Sequence, residues 1–116
     1  MLADRVRLHL RAVAAQGAPI TYQALAQQLE LSPPNTIQQL TDALEVLMEQ
    51  DAQADRPLIA ALVVSKATGG RPRQGFFQCA QRIGRFQGDE LGPEAASFWV
   101  DEFERAVAFW GTDSLD

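Results

Sequence analysis

Cysteine and histidine are nearly missing from this chain of 116 residues, which has one of each. Cys79 has no partner for an internal disulfide, and that usage fits a reducing cytoplasm. His9 cannot build a histidine metal site alone, and no cysteine pair replaces it, so neither metal nor cofactor is expected. Long apolar runs are absent too: none approaches the ~20 residues of a membrane-spanning helix. Met1 to Gly17 carries Asp4, Arg5, Arg7, His9 and Arg11, which argues against a signal peptide and against a membrane partner. Positive charge is in deficit, with ten Lys and Arg against fifteen Asp and Glu, a net charge of −5. That balance disfavours a protein that coats nucleic acid without specificity.

What is present is an ordinary globular composition, 47% hydrophobic and 22% charged, of a length that makes one modest core. The charge is unevenly spread. Residues 1–88 hold nine basic and seven acidic side chains, whereas residues 89–116 hold Arg105 against eight acids. Between Lys66 and Gly88 lie Lys66, Arg71, Arg73, Arg82 and Arg85, with no acid among them. The chain divides accordingly into a domain over 1–88 and an acidic C-terminal helical extension over 89–116 packed on it.

Apolar periodicity predicts helices first. Leu2, Val6, Leu10, Val13 and Ala14 recur at helical spacing and stop at Gly17 and Pro19. Thr21 is the N-cap expected for a second helix bearing Tyr22, Leu25, Ala26 and Leu29. Ser32 and the following prolines are expected to open a third, with Ile37, Leu40, Leu44, Leu47 and Met48 inside, fading between Gln50 and Asp55. Leu58 to Ser65, short and containing Val63 and Val64, reads as a strand, and Gly69 to Gly75 as a loop. Phe76, Phe77, Ala80 and Ile83 suggest a short helix ended by Gly84. Pro93 to Trp110 suggests a long one, with Trp99, Phe103, Ala106, Val107 and Trp110 along one face. The fold expected is mainly α with a small β element: a winged helix-turn-helix-like domain plus a long C-terminal helix.

"ITYQALAQQL", "NTIQQLTDAL" and "PLIAALVVSKATGG" together resemble the DNA-binding domain of the alkylguanine-DNA alkyltransferase and alkyltransferase-like family. The likeness covers roughly residues 19–77. In that family a lead-in segment and helix precede a recognition helix. A Pro-Cys-His-Arg motif then leads into paired valines and a glycine-containing loop. The resemblance implies a winged-helix fold and a double-stranded DNA partner. It does not imply the chemistry, because Ile59, Ala60, Ala61 and Leu62 stand where the motif would be. A reactive cysteine needs a neighbouring base to become a thiolate, and here both are missing.

Candidate site residues follow from charge and polarity. Lys66, Arg71 and Arg73 on a glycine-rich loop can follow a phosphate backbone, and "GRPR" is similar to the Gly-Arg-Pro core of AT-hook segments, though Gly69 replaces the leading Arg. Arg82 and Arg85 extend the basic stretch. Asn35, Thr36, Gln38 and Gln39 at the start of the third helix can bond base edges. The loop cations equally fit a solvated loop. The start of the third helix reads first as ordinary helix surface, because Asp42, Glu45, Glu49 and Asp51 follow on or near its exposed side and would repel phosphate. "SKATGG" lacks the order of a phosphate-binding loop, Asp101 and Glu102 do not face each other, and Cys79 reads as a small core residue. No catalytic set assembles. The function expected is therefore non-enzymatic nucleic-acid binding or regulation in the cytoplasm. The alternative is a protein-interaction module acting through the C-terminal helix, where Phe98 and Phe109 lie off the main apolar face. These two rings would meet a second copy of the chain or another protein, unless they only widen the face that closes the core.

Overall fold

A computed structural model describes residues 1–112 and is mainly helical, with a two-stranded parallel sheet. Helix α1 (Leu2–Gln16) buries Val6, Leu10, Val13 and Ala14. It ends where Gly17 takes φ 73° and donates its N–H to Ala14 O, a left-handed cap that glycine adopts without strain. Strand β1 (Ile20–Thr21) pairs with β2 (Val63–Val64), Ile20 opposite Val63 and Thr21 opposite Val64. Thr21 also caps helix α2 (Tyr22–Gln28), its Oγ1 accepting the Ala24 N–H at 3.1 Å. Sequence and cap chemistry agree on this start.

Helix α3 (Thr36–Gln53) begins later than expected. The residue before a proline is steered out of the helical region, and Ser32 and Pro33 both precede prolines. Asn35 then sits at φ 61°, and the Gln39 amide donates to Ser32 O and Pro34 O, holding the segment as a turn ahead of the helix. Leu25, Leu29, Leu40, Leu44, Leu47, Leu62 and Val64 are all buried, whereas Ile37 is only half-buried. Leu40 is 0% exposed, so Leu40→Ala should cost about 2–5 kcal/mol in urea unfolding. A change the size of a surface substitution would contradict the packing of α3.

The strand expected over Leu58–Ser65 is a second correction. Only Val63 and Val64 pair, and Ile59–Leu62 forms a 3-10 helical turn. β1 offers two residues, so the ladder cannot extend further back. Leu58 to Leu62 are nonetheless among the most buried residues of the molecule. Buried backbone polar groups must find partners, and here side chains supply them. Trp110 Nε1 donates to Pro57 O at 3.0 Å, Glu102 accepts the Leu58 N–H at 2.8 Å, Asp51 accepts the Ile59 N–H at 3.0 Å, and Trp99 Nε1 donates to Ala61 O at 2.8 Å.

Helix α4 (Gln74–Arg82) buries Phe76, Phe77, Cys79 and Ala80 and is followed by Gly84 at φ 83°. Helix α5 (Pro93–Thr112) lies against α1 and the 3-10 turn, and its Ala95, Ala106 and Trp110 join the same core as α1–α4. A Cβ on Gly111 would come within 2.9 Å of Ala14 O, so the close crossing of α5 over the end of α1 needs glycine. The last four residues of the expected extension, 113–116, lie outside the described residues. Among the described residues no helix is long and apolar enough to cross a membrane.

Candidate nucleic-acid interface

The start of α2 (Thr21, Tyr22, Gln23), Ile37 in the first turn of α3, the Ser65–Thr68 turn and Arg73 line a cleft of about 400 Å³. No lining side chain is acidic. The parallel pairing of β1 with β2 builds this place, because both strands end at it and each hands the chain to a turn or helix there. The loop after β2 is closed by its own hydrogen bonds. Ser65 N–H donates to Arg71 O at 2.8 Å, Gly70 N–H to Ser65 O at 3.0 Å, and Thr68 Oγ1 to Arg71 O at 2.7 Å. Gly69 and Gly70 at φ 70° and 84° make the reversal, a conformation that side chains with a Cβ rarely adopt. The cations therefore ride on a closed loop.

Lys66 and Arg71 are exposed and make no ion pair among the described residues. Arg73 sits with its guanidinium 5.7 Å from the centre of the Tyr22 ring, and its backbone N–H donates to Tyr22 Oη at 3.3 Å. Burial pushes the Tyr22 phenol up, against smaller downward pulls from the Arg73 N–H and charge. It remains an uncharged phenol at neutral pH.

The other candidates do not converge on the cleft. Arg82 pairs with Glu49 at 2.6 Å and Glu45 at 3.4 Å on the surface of α3. Arg85 turns inward, with Nη1 3.4 Å from Glu102 and Nη2 2.7 Å from Arg56 O. The Gln39 amide is committed to the turn before α3, and Gln38 donates to Asp42 at 2.8 Å. Asn35 is exposed and Thr36 half-exposed at the same end. At the C-terminal helix, Phe98 packs against Phe86 and Phe76, with ring centres 5.0 and 6.1 Å apart, while Phe109 remains 46% exposed. Cys79 is buried, and burial pushes its thiol up despite the opposing Arg82 charge.

Sequence reasoning set Asp51 on or near the exposed side of α3, and this is a correction: Asp51 lies inside and, with Glu102, anchors the chain leading to this cleft. Asp51 and Glu102 are fully buried, and both carboxylates hold the backbone of the 3-10 turn. Asp51 Oδ1 lies 2.9 Å from Arg7 Nη1, an ion pair outside hydrogen-bond geometry, and 2.8 Å from Arg56 Nε. Glu102 Oε1 accepts from Arg105 at 2.9 Å. Arg7 and Arg56 both lie over the Trp110 ring, 4.9 and 5.0 Å from its centre. A signal was available: Asp51 continues the buried stripe Leu40, Leu44, Leu47, Met48, and Glu102 falls between Trp99 and Ala106. An acid on an apolar stripe has to be paired.

No protein-family model, curated protein or solved structure matches this chain. Ile59, Ala60, Ala61 and Leu62 are buried in the 3-10 turn, with 2% or less of their surface exposed.

Proposed function

We propose that the chain is a non-enzymatic, cytoplasmic nucleic-acid-binding protein of winged-helix type, gripping duplex DNA with the loop after β2 and the start of α3. One observation carries this reading. Lys66, Arg71 and Arg73 stand beside an acid-free cleft on a loop closed by its own hydrogen bonds, with no acidic partner among the described residues. Cations held in place without local neutralisation suit a ligand that brings its own negative charge. Asn35 and Thr36, exposed and half-exposed at the start of α3, would then approach base edges. The acids of α3 oppose this less than their number suggests, because Arg82 stands against Glu45 and Glu49.

Exposure of Phe109 and of Val100, which is 44% exposed, favours the second reading, a protein-interaction module using α5. Fluorescence anisotropy with labelled duplex and single strands at low salt separates the two. Affinity that weakens across all sequences as salt rises supports the first reading. No affinity for either nucleic acid would leave the second.

A further inference from the structure

The ion network at the other end of the 3-10 turn has more cations than its carboxylates use. Arg7, Arg56, Arg85 and Arg105 surround the two buried acids, Asp51 and Glu102. The carboxylate oxygens are spent inward: Asp51 on Arg7, Arg56 and the Ile59 N–H, Glu102 on the Leu58 N–H, Arg85 and Arg105. A guanidinium has five N–H donors, so each arginine retains some. Arg56 binds Asp51 through Nε alone, and Arg105 binds Glu102 through one Nη. Their remaining nitrogens make no hydrogen bond among the described residues.

Arg56, Arg85 and Arg105 line a common space. Asp55, Arg56, Pro57, Arg85, Glu102 and Arg105 line a cleft of about 220 Å³, none of whose residues lines the cleft beside Lys66. Arg85 is fixed by Arg56 O, Asp51 O and Glu102, and Arg56 by the Trp110 ring, so these two have little side-chain freedom left to lose on binding. Arg105, 63% exposed, closes the site from the solvent side. Asp55 is exposed at the rim and takes one charge off the excess, which remains positive. Surplus guanidinium charge beside a desolvated interior is relieved by an anion, and the planar fork matches an oxyanion in two-point contact.

We propose that Arg56, Arg85 and Arg105 form a binding site for a small oxyanion, a phosphate or carboxylate group. The bound group would brace the carboxylates that hold Leu58 and Ile59, so it would stabilise the fold by mass action. Thermal unfolding in inorganic phosphate, in acetate and in sodium chloride at equal ionic strength is the test. Phosphate or acetate should raise Tm where chloride does not, and the ion with the larger effect identifies the class. Arg105→Gln should weaken that effect at least tenfold in concentration, while Lys66→Ala with Arg71→Ala should leave it intact. Should Arg105→Gln fold poorly, side-chain Nε NMR signals of wild-type Arg56, Arg85 and Arg105 should still shift on adding the active ion. No Tm rise beyond chloride, an unaltered response in folded Arg105→Gln, a response lost with the loop variant, or unmoved Nε signals would each overturn the site.

Discussion

Asp51→Ala is expected to destabilise the protein by about 3–5 kcal/mol, the cost of removing one partner from a buried charge pair. Truncation leaves the Arg7 guanidinium, 16% exposed, facing no anion at Asp51, and takes away the acceptor of the Ile59 N–H. Arg56 loses its Nε partner as well. Asp42→Ala is the matched control, since that acid is exposed and among the described residues bonds only the Gln38 amide one turn away. Its effect should stay within about 0.5 kcal/mol. Urea unfolding of both variants decides the matter. Equal effects would mean that Asp51 does not anchor the 3-10 turn.

The second large effect concerns binding. Lys66→Ala, Arg71→Ala and Arg73→Ala should weaken duplex affinity for every sequence, and each lost phosphate contact should lower the slope of log K against log salt by about 0.9. Arg82→Ala should leave the slope unchanged, because Arg82 already faces Glu45 and Glu49. Arg85→Ala should act on stability instead, through Glu102 and the carbonyls of Asp51 and Arg56. A slope lowered equally by Arg82→Ala would mean that the whole basic stretch binds, as its composition alone suggests.

The difference between those arginines marks what sequence can and cannot say here. Helices were legible because Val6, Leu10 and Val13, or Leu40, Leu44 and Leu47, repeat with the helical period, and because Thr21 is a good cap. The strand over Leu58–Ser65 was misjudged because local apolarity reports burial and not pairing, and β1 has only two residues to pair with. The third helix starts late because two successive pre-proline positions outweigh a serine cap. Charge along the chain counts cations but not their partners: Glu45, Glu49 and Glu102 reach Arg82 and Arg85 only through the fold. Phe98 was placed off the main stripe of its helix, yet Phe86 arrives from the preceding loop to meet it. Phe109 keeps the exposure expected of it.

In the proposed function, nucleic acid meets the cleft at the ends of β1 and β2. Titrating ¹⁵N-labelled protein with a short duplex at low salt tests it residue by residue. The backbone signals of Thr21 to Gln23, Asn35 to Gln38 and Ser65 to Arg73 should move together, with those of Val100 and Phe109 unmoved. Shifts centred on the outer face of α5, or none anywhere, would contradict it.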